Sequence, residues 1–309
     1  MTANKINVPV LFLIFNRPDT TQQVFDEIRK ARPVQLFVAA DGPRKDRPAD
    51  YDQCKKAREI IRQVDWECKV FTCFRNENLG CKRAVSSAID WFFSHVEEGI
   101  ILEDDCVPDQ SFFRFCQELL EKYRDDERIM MISGDNFQFG RNRTDYSYYF
   151  SRYYAIWGWA TWKRAWSLYD VLMTDWPVYK ARKYLIEIYQ DKRLVSFFER
   201  TMQETYDNHL DTWDIQWTYT CIFNHGLSIT PKYNLVSNIG NTGIHTIDPG
   251  PFHNMPRETI DTCNMIHPLH VLPDFKKDTL EFNMILKRSI PNKILGFLYQ
   301  LKKRFINQN

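Results

Sequence analysis

Glycine and proline are scarce in this chain, 11 and 14 among 309 residues. No repeat, low-complexity tract or clean linker is visible, so the length points to one or two compact domains built on a large core. Excess charge is also missing. Forty-one basic and 40 acidic residues leave a net +1, which gives no global field for nucleic acid, so any partner must be recognised locally. None of the 8 cysteines forms a C-x-x-C pair. In a chain this long, their spacing favours free thiols in a reducing compartment over disulfides or a zinc site. Long apolar runs are absent too. The stretch from Val8 to Phe15 is interrupted by Pro9 and falls well short of the roughly 20 residues that span a bilayer. It is followed by Asn16-Arg17-Pro18 and not by a small-residue cleavage site. A cytoplasmic protein is expected, unless the numbering begins after a removed leader. No G-x-x-x-x-G-K-[ST] occurs, which excludes a P-loop.

The first half of the chain alternates regularly. Val10 to Phe15 is a continuous apolar run, as for a strand buried on both faces of a parallel sheet. A helix capped near Asp19 is expected to run to Ala31, with Val24, Phe25 and Ile28 inward. Further strands are expected at Leu36–Ala40, Lys69–Phe74 and Gly99–Leu102, with helices near 50–64 and 80–95. Strand and helix in this rhythm mean an α/β fold, a mostly parallel sheet with helices on both faces. Ligands bind such sheets beyond the carboxyl ends of the strands. The unusual polar clusters all fall there: Asn16-Arg17, Asp41-Gly42, Asn76 to Gly80, and Glu103-Asp104-Asp105. Their shared placement points to one site.

From about Ser133 the texture changes. Residues 146–166 and 212–220 are dense in rings, which suits both core filling and sugar stacking. The expected division is a nucleotide-binding α/β half over 1–132 and an acceptor-binding half of the same domain over 133–275, then a C-terminal helix over 276–309. Lys287, Arg288, Lys293, Lys302, Lys303 and Arg304 stand in that last segment among Ile294, Phe297, Leu298 and Leu301. This is the pattern of a basic amphipathic helix, which either lies on an anionic membrane surface or packs on the protein's own core.

Three adjacent acids after a buried strand repel one another unless a cation or a helix N-terminus compensates them. Strand alternation sets Glu103 and Asp105 on one side and Asp104 on the other. Hard cations such as Mn²⁺ or Mg²⁺ take carboxylate oxygen and keep substrate phosphates in their shell. The bland alternative is a solvated turn before the next helix.

The segment Ile101-Leu102-Glu103-Asp104-Asp105-Cys106-Val107-Pro108-Asp109-Gln110-Ser111-Phe112-Phe113 resembles one found in N-acetylglucosaminyltransferase I and related GT-A fold transferases. Bacterial sugar transferases of surface-polysaccharide loci are the most similar in style. It departs in detail, because Pro108 comes early and Gln110-Ser111 separates Asp109 from Phe112. The resemblance runs from the first strand to about His245, and the order of motifs is more specific than any one of them.

It implies a GT-A (Rossmann-like) fold and metal-dependent transfer from a nucleotide-sugar donor, foremost a uridine diphosphate sugar, with N-acetylglucosamine among the sugars it could carry. The acceptor would be a glycan or a lipid-linked glycan. Asp105 would be the metal ligand, with Glu103 and Asp104 on sugar and ribose. Asp41 would contact the base, Arg17 the donor, and Lys82, with its helix N-terminus, the diphosphate. The unadorned readings of these positions are a turn, a surface arginine and a solvated cap.

An inverting transfer needs a base for the acceptor hydroxyl. Asp214, in Thr212-Trp213-Asp214-Ile215-Gln216-Trp217, resembles the family's W-D-D-W stretch, which carries the proposed base; a helix cap is its other reading. Trp157-Gly158-Trp159 resembles the segment beside donor and acceptor, and Trp159 is assigned to the donor. His245 matches a late histidine that reaches metal or diphosphate, or is a satisfied loop histidine. Two competing readings remain. A sugar-phosphate nucleotidyltransferase lacks its expected Gly-rich loop after the first strand, where Asn16-Arg17-Pro18 stands. A non-catalytic carbohydrate-binding protein would not need Asp105 and Asp214 together.

Overall fold

The computed structural model describes residues 5–140, 144–240 and 252–289, the side chains of 285–289 excepted. The first half follows the alternation in the sequence: β1 (Val10–Ile14), α1 (Pro18–Ala31), β2 (Gln35–Ala40), α2 (Ala49–Glu59), β3 (Lys69–Phe74), α3 (Gly80–Phe93) and β4 (Glu98–Glu103). Next come β5 (Cys106–Pro108), α4 (Gln110–Lys122), β6 (Ile129–Ser133), β7 (Tyr148–Ser151) and β8 (Trp159–Trp162). The helices α5 (Lys163–Trp166), α6 (Trp176–Ala181), α7 (Tyr184–Ile188), α8 (Lys192–Tyr206) and α9 (Asp214–Phe223) follow. The described chain closes with β9 (Leu227–Pro231), β10 (Val236–Asn238) and α10 (Phe275–Ser289).

Eight strands form one sheet in the order β3-β2-β1-β4-β8-β6-β9-β7. The segment β3-β2-β1-β4 is parallel throughout. β8 then enters antiparallel between β4 and β6, β9 runs parallel to β6, and β7 closes the far edge antiparallel to β9. Strands from beyond residue 133 thus extend the sheet that the first half begins.

Alternation along β1 explains the layers. Val10, Phe12 and Ile14 point to one face, against Val24, Phe25 and Ile28 of α1 and Phe112, Phe115 and Leu119 of α4. Leu11 and Leu13 point to the other, against Ala88, Ile89 and Phe92 of α3 and Trp217 of α9. Burial on both faces is why these strands read as unbroken apolar runs. The result is the α/β architecture expected from the sequence, a mostly parallel sheet with helices on both faces. A third apolar cluster, around Met173, Trp176, Phe198 and Met202, holds α6 to α8 together.

α4 opens on a cap, with Asp109 accepting from the Ser111 backbone N–H at 2.9 Å. α10 is pinned to β7 through Asp278, which accepts from the Ser151 hydroxyl at 2.7 Å and from Arg152 Nε at 3.1 Å. All eight cysteines are free thiols, as expected. Among the described residues no helix is long and apolar enough to cross a membrane.

Candidate active site

A cleft of about 740 Å³ opens over the carboxyl ends of the parallel strands. The ends of β1, β2 and β4 deliver Arg17, Asp41 and the Glu103-Asp104-Asp105 triplet to its walls. Five of the residues singled out in the sequence therefore meet in one place, as the geometry of parallel sheets requires.

The cation that compensates the triplet is Arg17. Its NH1 donates to Asp105 Oδ2 at 2.7 Å, and its NH2 donates to Asp104 Oδ1. Asp104 is only 2% exposed and also accepts from the Phe15 backbone N–H at 3.1 Å. Burial raises its carboxyl above the usual range, and Arg17 opposes that rise. Burial also works against the Arg17 guanidinium, but Asp104 and Asp105 more than offset it and hold the charge firmly in place. The Glu103 carboxyl, unlike its neighbours', makes no side-chain hydrogen bond to any described residue. Burial pushes its carboxyl well above the usual range and Asp105 adds to that. Alternation thus turns Asp104 inward, toward the β1 end, while Glu103 and Asp105 face the cleft. Asp104 lines the cleft as well, but both of its oxygens are engaged, one by the Phe15 N–H and one by Arg17.

A short second sheet completes the floor. β5, directly after the triplet, pairs antiparallel with β10, and the Ile239 N–H donates to the Asp105 carbonyl at 2.8 Å. This carries Gly240 against the triplet, where a Cβ would lie 2.3 Å from Asp105 Oδ2 and 3.1 Å from Arg17 NH1. Only a glycine lets the chain pass so close. His253 follows into the same cleft, and its buried Nε2 has no hydrogen-bond partner among the described residues.

Asp41 lines the cleft, but its carboxylate accepts from the Gly42 and Leu79 N–H groups and from Asn78 Nδ2 at 2.8 Å. Much of its capacity goes into tying β2 to the start of α3. Three arginines that the sequence reading passed over, Arg44, Arg47 and Arg75, add positive charge to the cleft. Arg44 is held by a fork to Asp50 at 2.6 and 2.9 Å, which keeps that carboxyl down at about 2. Nothing in the local sequence distinguishes these arginines from other surface residues; the fold sets them on the cleft wall, Arg44 and Arg75 partly buried and Arg47 exposed.

Two donor-site expectations are corrected. Lys82 is not among the residues lining the cleft; its Nζ donates to Asn208 Oδ1 at 2.9 Å. The first turn of α3 is already capped, because Asp211 accepts from the N–H groups of Cys81 and Lys82 at 3.1 and 3.2 Å. A helix end so occupied has no free amide for a diphosphate. Trp159 is core, 1% exposed, stacked on Trp213 with ring centroids 5.7 Å apart. As the first residue of β8, inside the sheet, it has both faces covered. Its neighbour Trp157 reaches the cleft instead, across a turn where Gly158 adopts φ +74°.

Trp157 also lines a second cavity of about 240 Å³, which Asp214 borders. Asp214 opens α9 and accepts from the Thr212 hydroxyl; its charge is felt by Glu103 across the cleft. Glu281 of α10, which the sequence analysis left unremarked, lines this cavity too. His245 and the basic stretch beyond 289 lie outside the described residues.

No protein-family model matches this sequence, and no curated protein matches it. Among the solved structures similar at the level of backbone are three from two proteins. One is HddC from Yersinia pseudotuberculosis, at 13% identity and TM-score 0.30 over 51% of this chain and 77% of that one. The same protein complexed with GMP-PN gives 12% and 0.31 over 51% and 77%. Mouse xyloside xylosyltransferase 1 in apo form gives 12% and 0.32 over 71% and 81%. Likeness this distant adds nothing to the chemistry of the cleft, which rests on its own residues.

The buried acids carry a testable consequence. Burial, with Asp278 adding to it, pushes Glu281 up to about 8, and burial raises Asp135 well above its usual range. A folded-state value above the unfolded one stabilises the protein at low pH, and this stability is lost as pH rises through the folded value. The free protein should therefore lose melting temperature between about pH 5 and pH 8. Glu281→Gln should flatten that slope in calorimetric scans; an unchanged slope would show that Glu281 stays ionised.

Proposed function

We propose that this chain transfers a sugar from a nucleotide-diphosphate sugar to a hydroxyl of a glycan or lipid-linked acceptor, with inversion at the anomeric carbon. The observation that carries this reading is the convergence of Arg17, Glu103 and Asp105 in one cleft that adjoins, through Trp157, a ring-lined cavity holding Asp214. Uridine-linked donors are the first to test, and N-acetylglucosamine is the first sugar.

A divalent cation fits the donor set. Mn²⁺ or Mg²⁺ needs only one or two carboxylates when substrate phosphates complete its shell. Asp105 and Glu103 supply hard oxygens, and His253 has an unused nitrogen in the same cleft. Among the described residues no cluster of three or more such ligands exists. Asp105, with Glu103, would hold the ion, whose charge would stabilise the departing diphosphate.

The protein's own groups do the rest. Arg17, kept charged and oriented by Asp104 and Asp105, faces the phosphates, with Arg44, Arg47 and Arg75 adding positive charge along the cleft. Asp214 takes the proton as the acceptor oxygen bonds to the anomeric carbon. The bond from that carbon to the diphosphate oxygen breaks, and the nucleoside diphosphate leaves with the electron pair.

Titration calorimetry across a nucleotide-sugar panel, with and without Mn²⁺, tests the donor site. A uridine diphosphate sugar should bind only with the metal, and Asp105→Asn should weaken that binding by about 10–100-fold, the usual loss for a charged partner. Equal binding by wild type and variant, or no binding by either, would remove the assignment.

A further inference from the structure

We propose that the ring-lined cavity beside the cleft is a subsite for one neutral pyranose of the acceptor, and that Glu281 is the residue that selects it by bonding to one of its polar substituents. This rests on the transferase reading for its place in the reaction, but not for its binding chemistry.

At about 240 Å³, the cavity is smaller than the roughly 300–1,000 Å³ of sites that enclose drug-sized ligands. It suits a single ring. Tyr153, Tyr154, Trp157, Phe197 and Phe252 are among the side chains that wall it. Flat apolar faces of this kind match the CH faces of a sugar. A hydrocarbon chain would match them equally well, but it would leave the polar groups unserved. Glu281 is 3% exposed and its Oε2 has no hydrogen-bond partner among the described residues, an arrangement that is costly in an unliganded protein. A buried, unpaired carboxyl on the wall of a cavity is complete only when a ligand brings the partner.

The charge of the wall argues for a neutral ring. Asp214 and Glu281 border the cavity, Glu281 stands near enough to act on the buried Asp135, and among the described residues no Lys or Arg lines it. Arg193 lies behind Phe282, paired to Asp191, and Arg152 is committed to Asp278. A carboxylated sugar would therefore meet acids with no counter-charge. Burial pushes the Glu281 carboxyl up to about 8, and in its protonated form it offers a sugar oxygen a hydroxyl donor.

Saturation-transfer NMR with methyl glucoside, methyl N-acetylglucosaminide and methyl glucuronide tests the subsite on the full chain. Both neutral glycosides should bind, and the glucuronide should bind at least about tenfold more weakly. Glu281→Leu should lose about tenfold in glycoside affinity, yet melt no lower than wild type, because an unsatisfied buried group has been removed. Glu281→Gln should stay within about threefold of wild type, since the amide still reaches the sugar. Undiminished glycoside binding by Glu281→Leu, or preference for the glucuronide, would overturn the proposal. Nucleotide-sugar binding without any glycoside binding would sink the subsite and leave the transferase standing. Glycoside binding without nucleotide-sugar binding would do the reverse.

Discussion

Asp214→Asn is expected to leave nucleotide-sugar binding within about twofold of wild type and to slow transfer by about 10²–10⁴-fold, the range that general bases contribute. The substitution keeps the size of the side chain and its bond from the Thr212 hydroxyl, and removes only the oxygen that can hold a proton. Asp214 also opens α9, where a carboxylate gains about 0.3–1 kcal/mol from the helix dipole. A merely structural role would therefore appear as a small fall in melting temperature with transfer intact. Single-turnover transfer, measured beside donor calorimetry, separates the two. Retained transfer would remove Asp214 as the base.

Arg17→Ala should cost about 3–5 kcal/mol of stability, as breaking one side of a buried ion pair does. Arg17 bonds to Asp104 and Asp105, and Asp104 is nearly inaccessible. Without the guanidinium, Asp104 keeps only the Phe15 N–H, and its carboxyl rises further. A raised carboxyl favours the folded state at low pH and loses that advantage as pH climbs. The penalty should thus be smaller at about pH 5 than at about pH 8, and Asp104→Asn in the same chain should recover much of it. Urea unfolding at the two pH values measures both. A pH-independent loss under about 1 kcal/mol would mean that the pair behaves like an exposed salt bridge.

β1, β2 and β4 were legible because their apolar runs are buried on both faces, which leaves a continuous signal in sequence. The acidic triplet, Arg17 and Asp41 were legible for a related reason: a parallel sheet gathers its strand ends whatever the loops do. Lys82 and Trp159 were misread because their partners are distant in sequence. Asp211 and Asn208, about 130 positions beyond α3, take the helix end and the lysine, and insertion of β8 between β4 and β6 encloses Trp159.

The sequence by itself determined the α/β order, the position of the triplet at a strand end and the lack of any global charge. These follow from local periodicity and composition. Only the tertiary structure decided what compensates the three acids. The pairing of β5 with β10 brings Gly240 against Asp105, the end of β1 swings Arg17 onto Asp104, and α10 places Glu281 behind Trp157. Such meetings depend on backbone hydrogen bonds between remote segments, which leave no periodic trace in the chain. The triplet was visible from the start, but the arginine that makes it a site was visible only once the sheet had closed around it.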